Sequence, residues 1–527
     1  MGKQKVLDVY FLIFAFTFKL ITALMEDNNS FDQTILSPLL SNIYRFSNRN
    51  AFCIDEVYYS YKEFGDCISK IRPILKELYS NDAYIGLVAN DDLETYASIF
   101  ALWLEGKCYI PLHPNQPIYR SEEIIKDMNI NLILDSSLST VFTKHQTINT
   151  STLSYDDDSL DYHEAFSEER TAYVLFTSGS TGKPKGVSIS RKNLTAFIDS
   201  FWNCGILINE KDRCLQCFDL TFDVSIQCFL VPLLKGACVY TIPHNQIKYS
   251  YASALLEDHQ LTVAAVAPSM LRYLKPYFEE LNLPALKYCI LAAEASPLNL
   301  IEEWKTCIPN AEIYNFYGPT EATIYCTYYQ IKRNAPNRTL NGMIPIGIPM
   351  KGVEAIIVDE GNNILPAGKK GELCVAGNQV CVGYWNDPEK NRKAFFEKQY
   401  NGTLHRFYRT GDLCYYDNES ILMLFGRIDS QAKIQGYRVE LGEIEFHARE
   451  YLDGTNAVCL TFNNPKGNTE LSLFVEDEEI NQADLIGYMK SKLPHYMIPT
   501  KIILEKRFPL NSNSKVDKKR LKEKLSF

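Results

Sequence analysis

Residues 177–186 read Thr-Ser-Gly-Ser-Thr-Gly-Lys-Pro-Lys-Gly and follow directly on an apolar, β-rich run at 172–177. Three glycines allow this segment to turn tightly and to bring its backbone N–H groups against an anion. Its serine and threonine hydroxyls add donors, and Lys183 and Lys185 add positive charge. Together these features predict a polyphosphate-binding loop. The Walker arrangement is excluded, because Lys183 is followed by Pro184 and not by serine or threonine.

The bulk properties of the chain are typical of a soluble enzyme with more than one domain. Its 527 residues are too many for one compact core, and its 46% hydrophobic and 22% charged content is ordinary. The net charge of −10 disfavours a nucleic-acid partner, since binding to a phosphate backbone needs a positive face. Among fifteen cysteines, the pair Cys214 and Cys217 has Cys-X-X-Cys spacing, but its apolar surroundings favour core packing over metal or redox chemistry. This cysteine usage suits a reducing cytoplasm, where we expect the protein.

The first 24 residues allow two interpretations. An apolar run at 9–18 follows two lysines and superficially resembles a signal peptide. The run is short for a membrane span, and Asp8 and Lys19 bracket it. We expect residues 1–24 to be an N-terminal extension or a misplaced start, with a membrane-associated helix as the alternative. We expect no stable membrane insertion.

Short β-rich runs alternate with amphipathic stretches between residues 83 and 315. Buried strands are predicted at 84–89, 108–110, 132–134, 172–177, 263–266 and 288–291, and helices at 223–234 and 268–277. This alternation predicts an α/β fold with helix-covered mixed or parallel β-sheets. Glycine turns between short strands at 345–425 predict a small β-barrel-like subdomain, and a compact α+β unit follows residue 429.

The loop at 177–186 resembles the phosphate loop of the adenylate-forming superfamily, which includes acyl-CoA ligases, luciferases and the adenylation units of nonribosomal peptide synthetases. Five further segments resemble signatures of this superfamily and occur in its order. They are Asn-Phe-Tyr-Gly-Pro-Thr-Glu-Ala-Thr at 315–323, Gly-Glu-Leu-Cys-Val-Ala-Gly at 371–377 with Gly-Tyr-Trp at 383–385, Tyr-Arg-Thr-Gly-Asp-Leu at 408–413, Gly-Arg-Ile-Asp-Ser-Gln-Ala-Lys-Ile-Gln-Gly-Tyr-Arg-Val-Glu-Leu-Gly-Glu-Ile-Glu at 426–445, and Asn-Ser-Lys-Val-Asp at 513–517. The resemblance extends from about residue 50 to 521.

The resemblance implies three parts of the chain. A large adenylation domain would span 25–427, a hinge would span 428–430 with Asp429 as its pivot, and a small mobile α+β domain would span 431–527. The active site would lie between the two domains. In the family the small domain rotates after adenylate formation and presents its strand at 431–436 to the site, where a phosphopantetheine thiol attacks the adenylate.

The reaction that the resemblance implies is attack of a carboxylate on the α-phosphorus of ATP, with release of pyrophosphate. Catalysis would rest on positioning and on neutralising charge, without a protein nucleophile. The family pattern stacks Tyr317 on adenine, puts Thr320 near the α-phosphate, and gives Glu321 to Mg²⁺, a cation that prefers oxygen ligands. Asp412 would accept both ribose hydroxyls. The full set implied to bind ATP is Thr177, Ser178, Gly179, Ser180, Thr181, Gly182, Lys185, Asn315, Tyr317, Gly318, Thr320, Asp412 and Arg427.

Each of these positions also has a plainer interpretation. Residue 317 could be a core aromatic side chain and residue 321 a surface charge, while residues 412 and 427 could form a simple salt bridge.

Lys515 is the expected catalytic residue, together with Thr320 and Lys433. A lysine on the mobile domain can bridge the substrate carboxylate and the α-phosphate and cancel their repulsion. The alternative is that Lys515 and the basic residues at 518–520 form a solvated tail. Ser514 stands where the family motif carries glycine, which leaves the geometry of this turn open.

Asp223 indicates that the acid to be activated is an amino acid. Amino-acid-activating members of the family place an aspartate here to pair with the α-ammonium group, and a buried ammonium requires such a partner. The alternative is a helix N-cap, and the two roles could coexist.

The remaining pocket positions suggest the side chain of the substrate. The residues that correspond to the specificity pocket of the family are Asp223, Val224, Gln227, Ala265, Ile290, Ala292, Phe316, Ile324, Tyr325 and Lys515. This set resembles proline-selecting pockets, although residues 316, 324 and 325 are bulkier than usual. Such bulk favours a compact side chain or ring. We expect L-proline, with another small amino acid such as alanine second.

Only twelve residues follow Lys515, and no carrier, condensation or thioesterase domain is recognisable. We therefore expect the acyl group to pass to a separate peptidyl carrier protein, as in stand-alone proline–carrier-protein ligases of natural-product biosynthesis, including that of antibiotics and toxins. One alternative is a D-alanine–carrier-protein ligase, against which Gln227 weighs. Another is an acyl- or aryl-CoA ligase, against which Asp223 weighs. The last is a catalytically inactive, nucleotide-binding partner protein.

Overall fold

The computed structural model describes residues 30–77, 81, 83–154, 160, 165–179, 183–429, 431–477, 479–510 and 516–525. The extension predicted at 1–24 lies outside these residues. Across the described ranges, no helix has both the length and the apolar character needed to cross a membrane.

The largest sheet is mixed and has nine strands. Six central strands run parallel, and antiparallel strands complete both edges. In spatial order the strands are Ile348–Pro349, Thr327–Ile331, Glu312–Tyr317, Tyr288–Leu291, Val263–Val266, Arg213–Gln216, Cys238–Thr241, Asn50–Ile54 and Val57–Ser60. Val263–Val266 and Tyr288–Leu291 are buried along their whole length, which explains their unbroken apolar sequence.

A second mixed sheet has seven strands and carries the predicted phosphate loop. In spatial order the strands are Gly383–Tyr384, Lys185–Ser190, Thr171–Thr177, Cys108–Leu112, Tyr84–Val88, Leu132–Asp135 and Gln146–Asn149. Thr171–Thr177 and Lys185–Ser190 are antiparallel neighbours, with Thr177 opposite Lys185. The phosphate loop therefore connects two adjacent strands of one sheet. The strand at 185–190 was not predicted from the sequence.

Helices pack between and around these two sheets. Leu93–Leu104 and Val224–Leu233 are buried on nearly all sides, and one hydrophobic cluster joins them to residues of both sheets. Cys214 and Cys217 are buried as free thiols, in agreement with the expected core packing. The other helices of this region are Ser37–Arg45, Tyr61–Glu77, Ile118–Met128, Arg191–Trp202, Lys248–Asp258, Pro268–Leu274 and Leu298–Cys307.

One helix is shorter than predicted. The helix expected at 268–277 ends at Leu274 and continues as the 3₁₀ turn Lys275–Tyr277. Pro276 lacks the N–H group that an α-helical hydrogen bond needs, which favours the change to a 3₁₀ turn at this point.

The β-rich region predicted at 345–425 forms a five-stranded antiparallel sheet. Its strands are Val353–Val358, Gly371–Gly377, Thr403–Tyr416 and Phe395–Tyr400 in spatial order, with Leu422–Arg427 also paired to Thr403–Tyr416, and the helix Pro388–Ala394 lies beside it.

The C-terminal part has its own hydrophobic core. It begins with a two-stranded hairpin, Gln431–Ile434 and Tyr437–Glu440, called the hairpin below. A three-stranded sheet and three helices follow, namely Ala457–Asn463, Thr469–Val475 and Lys501–Leu504, with Leu441–Tyr451, Gln482–Lys492 and Lys518–Glu523. Two hydrophobic clusters here draw only on residues after 431. The predicted α/β class is confirmed, whereas the exact domain limits stay a prediction.

Candidate active site

The phosphate loop begins where the strand Thr171–Thr177 ends. Three of its predicted residues, Ser180, Thr181 and Gly182, lie outside the described residues. The Thr177 hydroxyl is buried and finds no hydrogen-bond partner within the described part of the chain. A Cβ atom at Gly179 would come within 2.0 Å of the carbonyl oxygen of Lys183, so this turn accepts only glycine. A buried, unpaired hydroxyl beside such a turn is suited to an anionic ligand.

A cavity of about 670 Å³ lies at the end of the strand Glu312–Tyr317, and its lining includes Tyr317, Asp412 and Arg427. The Tyr317 hydroxyl donates a hydrogen bond to one oxygen of Asp412. The Arg427 guanidinium donates to the other oxygen at 2.8 Å. The residues predicted to hold adenine and ribose are therefore brought together around one carboxylate.

Two other predicted nucleotide residues shape this cavity. A Cβ atom at Gly318 would lie 2.4 Å from the carbonyl oxygen of Ile324, so only glycine fits. The Asn315 amide donates to the carbonyl of Pro345 at 2.8 Å, and its oxygen accepts from the Ser296 hydroxyl at 2.8 Å. Asn315 thus holds the end of the strand in place, because both of its polar groups are used within the fold.

The predicted magnesium ligand, Glu321, is fully buried. Arg438 donates to one of its oxygens at 2.7 Å, and the Tyr384 hydroxyl donates to the other at 2.6 Å. Burial alone would raise the pKa of Glu321, but Arg438 and Lys185 hold this pKa below its ordinary value. Glu321 is therefore an ionised oxygen ligand of the kind that Mg²⁺ uses. In this conformation Arg438 supplies the positive charge beside it.

The hairpin and the helix after it contact the phosphate loop directly. The Ser178 hydroxyl donates to the carbonyl of Arg438 and accepts from the N–H group of Glu440, both at 2.9 Å. The N–H group of Gly179 donates to the Glu443 carboxylate at 3.0 Å. Groups predicted to bind phosphate are thus bound by the C-terminal part of the chain.

Lys185 is also engaged by this part of the chain. It is 7% exposed, and its ammonium lies 3.5 Å from the Glu440 carboxylate. Burial and the nearby Arg438 lower the pKa of Lys185 to about 8, although Glu321 and Glu440 act in the opposite direction.

Asp223 is 4% exposed and occupies the N-cap position of the helix Val224–Leu233. Its side chain makes no capping hydrogen bond, so capping does not account for an aspartate at this position. Burial raises the pKa of Asp223 to about 6, while a hydrogen bond with Thr320 and the charge of Lys433 act to lower it. Asp223 and Thr320 line a small cavity of about 60 Å³. A buried carboxyl at a small cavity is suited to bind a cationic group.

The predicted specificity residues do not all face this small cavity. Asp223, Val224, Ile324 and Tyr325 line it, whereas Phe316 lines the larger cavity. Gln227, Ala265, Ile290 and Ala292 are buried and line neither of the two.

Aromatic side chains fill the space beside the small cavity. The rings of Phe316 and Tyr325 lie 4.9 Å apart, and Phe316 also stacks on Tyr328 and Phe201. Because these rings occupy volume that a large substrate side chain would need, the arrangement favours a compact substrate.

Lys433 lies on the hairpin and lines both the small and the large cavity. Burial and the nearby Arg438 lower the pKa of Lys433 to about 8, whereas Asp412 and Asp223 act to raise it. Its ammonium makes no hydrogen bond or ion pair within the described ranges. Lys433 therefore places an uncommitted positive charge between the residues predicted for the amino acid and those predicted for the ribose.

Lys515 lies outside the described residues, whereas Val516, which follows it, is described. Val516 forms a β-bridge with Leu510 and packs against a cluster that includes Phe474 and Leu521. Alternate residues of a β-strand point to opposite faces of its sheet. The hairpin packs on the face of the three-stranded sheet opposite to the one that Val516 contacts.

The predicted pivot, Asp429, follows the last strand of the β-rich region. Both of its oxygens accept hydrogen bonds from Arg427 at 2.7 Å, and one also accepts from the N–H group of Gln431 at 3.1 Å. Asp429 thereby connects the predicted ribose site to the start of the hairpin.

The sequence analysis missed the residues through which the C-terminal part contacts the site. These are Arg438, Glu440, Glu443 and Tyr437, with Asp219 and Tyr384 as partners. A signal was present for two of them, because Arg438 and Glu440 alternate on one strand and therefore share a face. Two charged residues on the same face of a predicted β-strand indicate that this face makes polar contacts.

The family model described as AMP-binding enzyme matches residues 40–385. The chain therefore belongs to the AMP-binding enzyme family, and the family predicted from the sequence motifs is confirmed.

Curated relatives include tyrocidine synthase 1 of Brevibacillus parabrevis, which is 29% identical over 91% of this chain and 44% of its own length. Tyrocidine synthase 2 of the same organism is 29% identical over 93% of this chain and 14% of its own length. The chain thus spans less than half of these relatives.

Solved structures resemble this chain over most of its length. The Vibrio cholerae adenylation domain AlmE, in complex with glycyl-adenosine-5'-phosphate, has a TM-score of 0.81 and 26% identity, and covers 93% of this chain and 97% of its own. NpsA-ThdA, an artificially fused adenylation–PCP di-domain from Klebsiella oxytoca, has a TM-score of 0.77 and 23% identity, with coverage of 88% and 92%. The second likeness shows a shared fold.

Proposed function

We propose that this chain activates a small amino acid, L-proline first, as its aminoacyl adenylate and then transfers the acyl group to the phosphopantetheine thiol of a separate carrier protein. The observation that carries the proposal is the buried carboxyl of Asp223 at a cavity of about 60 Å³, beside Thr320 and next to the nucleotide cavity. This carboxyl would bind the substrate ammonium group, as an ion pair that is buried on both sides.

In the first step a carboxylate oxygen of the amino acid attacks the α-phosphorus of ATP. The new P–O bond forms as the bond to the β-phosphate oxygen breaks, and pyrophosphate leaves. Thr177, Ser178, the N–H group of Gly179 and Lys185 would hold the β- and γ-phosphates, and Asp412 would hold the ribose. Glu321 is an ionised oxygen ligand, so the residues present fit Mg²⁺. When bound, this ion would neutralise charge on the phosphates.

In the second step a thiolate sulfur attacks the acyl carbon of the adenylate. A C–S bond forms, the C–O bond to the phosphate breaks, and AMP leaves with the negative charge. The position of the hairpin within the site supports the assignment of this conformation to the second step. Ser178, Gly179, Lys185 and Glu321 are all paired with the C-terminal part, which leaves them unavailable to ATP phosphates.

The packing of Phe316 against Tyr325 and Tyr328 supports a compact substrate. Proline and alanine both meet this condition, and the glycyl adenylate bound in AlmE makes glycine a further candidate.

The test is amino-acid-dependent exchange of pyrophosphate into ATP, screened over all amino acids and over simple carboxylic acids. We expect one small amino acid to dominate and acids without an amino group to be inactive. Aryl or fatty acids as the best substrates would contradict the proposal. ATP binding without exchange for any acid would favour the inactive, nucleotide-binding alternative.

Replacing Lys433 with alanine is expected to slow thiol transfer by about tenfold or more and to leave pyrophosphate exchange within about twofold of the parent rate. In this conformation Lys433 and Arg438 both line the two cavities, but Arg438 is paired with Glu321, so Lys433 would stabilise the departing phosphate charge of AMP. Transfer is measured with chemically prepared aminoacyl adenylate and pantetheine. Lys490→Ala, at an exposed lysine of the same part of the chain, is the matched control. Equal losses in both half-reactions would argue for a general structural effect.

Binding of a non-hydrolysable ATP analogue with Mg²⁺ is expected to speed hydrogen exchange at the amides of residues 431–440. The β- and γ-phosphates would compete with Glu440 and Glu443 for hydrogen bonds to the phosphate loop. AMP lacks these phosphates and is the matched ligand, for which no such increase is expected. Slower exchange with the ATP analogue would show that nucleotide and hairpin bind together.

A further inference from the structure

A second cavity, of about 560 Å³, lies on the other side of the hairpin tip. Its lining includes Asp219, Lys248, Gly436 and Tyr437. His113 lines both this cavity and the small cavity that contains Asp223, so the two are adjacent. This cavity contains charged groups that have no role in either half-reaction described above.

Asp219 is the centre of these charged groups. It is 8% exposed, and it lies in the loop between the strand Arg213–Gln216 and Asp223. The Lys248 ammonium lies 2.5 Å from one of its oxygens. The Tyr437 hydroxyl donates a hydrogen bond to its other oxygen. Asp219 therefore joins a helix of the large N-terminal part to the tip of the hairpin.

The neighbouring histidine supports a hydrogen-bonding role over a metal-binding one. The Nδ1 atom of His113 accepts a hydrogen bond from the N–H group of Asn115 at 3.0 Å, so the neutral ring carries its proton on Nε2. Nε2 lies 3.9 Å from an oxygen of Asp219, and in this tautomer its N–H group cannot bind a metal ion. Burial would raise the pKa of Asp219, but Lys248 and His113 hold it below its ordinary value. Asp219 is thus a permanently ionised acceptor at neutral pH.

Tyr437 is held by a second tyrosine of the C-terminal part, outside the hairpin. Its ring stacks on Tyr496 at 3.8 Å with an interplanar angle of 3°. The adjoining residue Gly436 has a φ of +86°, and a Cβ atom there would come within 3.6 Å of Ala267 and 3.7 Å of Ala293. A contact that fixes the Tyr437 hydroxyl therefore also fixes where the tip of the hairpin lies against the site.

The contact between Asp219 and Tyr437 differs from the others that hold the hairpin. Contacts through Ser178, Lys185 and Glu321 use groups that ATP and its metal ion would claim. The contact between Asp219 and Tyr437 uses none of them. It can favour the hairpin-bound conformation without removing any group from the nucleotide site.

We propose that Asp219 is a positioning residue for thiol transfer, which acts by holding Tyr437 and thereby the hairpin and Lys433 in the site. The inference rests on the thiol-transfer step of the proposed function. Adenylate formation does not use the contact, so the two half-reactions separate its effect.

The first test is Tyr437→Phe, which removes only the hydroxyl. We expect kcat/KM for transfer from prepared adenylate to pantetheine to fall about 10-fold to 100-fold, as for loss of one hydrogen bond to a buried charge, with pyrophosphate exchange within about twofold. Asp219→Asn is expected to show the same separation, and the double variant to be no slower than the slower single variant. Tyr488→Phe is the matched control, since its hydroxyl donates to Glu450 within the C-terminal part.

Hydrogen exchange at residues 431–440 provides a readout that does not depend on the thiol step. We expect faster exchange there in Tyr437→Phe and no change in Tyr488→Phe. Unchanged exchange in the hairpin, or loss of both half-reactions in Tyr437→Phe, would overturn the inference, as would independent effects in the double variant. If the parent protein transfers nothing to pantetheine, the proposed thiol step fails, and the hairpin exchange alone decides whether Asp219 positions the hairpin.

Discussion

Replacing Asp223 with alanine is expected to lower kcat/KM for amino-acid-dependent pyrophosphate exchange by about 10³-fold, because removing one partner of a buried ion pair costs about 3–5 kcal/mol. The carboxyl is 4% exposed, so water cannot replace it as a partner for the substrate ammonium. The KM for ATP is expected to stay within about twofold of the parent value, since Asp223 does not line the cavity formed by Tyr317, Asp412 and Arg427.

A substrate analogue without the amino group is the sharpest control for this variant. For proline the analogue is cyclopentanecarboxylate, which keeps the ring and replaces the ammonium by a methylene group. The parent protein should prefer the amino acid strongly, and Asp223→Ala should lose most of that preference without becoming slower on the analogue. An equal loss on both substrates would mean that the variant damages the fold or the nucleotide site.

The same carboxyl predicts a pH dependence. Burial raises the pKa of Asp223 to about 6, and only the ionised form can pair with an ammonium group. Below this pH the carboxyl is neutral, so kcat/KM for the amino acid should fall by about tenfold per pH unit, and above it the profile should level off. In Asp223→Ala the inflection near pH 6 should disappear. Its persistence there would assign the titration to another group.

The fold class and some of the strands were predictable from the sequence, because buried parallel strands appear as short apolar runs. Val263–Val266 and Tyr288–Leu291 were predicted with their observed limits. The strand Lys185–Ser190 was missed, since it directly follows a loop rich in glycine and lysine and its apolar residues are interleaved with serine. The hydrophobic pattern of a segment predicts which of its faces is buried. It does not predict which strand lies beside it, because strand pairing depends on residues that are distant in sequence.

The site was predictable to the extent that it is local. Thr320 and Glu321 share one motif, and Asp412 and Arg427 lie in two further motifs, so the family resemblance implied their roles. The structure then shows Asp412 and Arg427 opposite each other on paired strands. What the sequence did not reveal is the set of contacts across more than 200 residues, such as Tyr437 with Asp219 or Glu440 with Ser178. These contacts join residues that are distant in sequence, so their partners cannot be identified from periodicity or composition.

Replacing Lys515 with alanine is expected to lower pyrophosphate exchange by about 10²-fold or more, if one charge contact in the transition state contributes about 3 kcal/mol. Val516, the residue after it, packs on the face of the three-stranded sheet opposite the hairpin. We predict that Lys515 acts in the step that forms the adenylate, after the C-terminal part has rotated.

The measurement that isolates this role compares both half-reactions in three variants. Lys515→Ala should lose exchange and keep transfer from prepared adenylate, whereas Lys433→Ala should show the reverse. Lys519→Ala, at an exposed lysine four residues away, should keep both and so exclude a general effect of the basic C-terminal segment. Near-normal pyrophosphate exchange in Lys515→Ala would favour the alternative in which Lys515 belongs to a solvated basic tail. Opposite losses in the Lys515 and Lys433 variants would mean that each lysine acts in a different half-reaction. Because the two lysines belong to the same C-terminal part, a rotation of this part between the two steps is the simplest motion that brings each of them into the site.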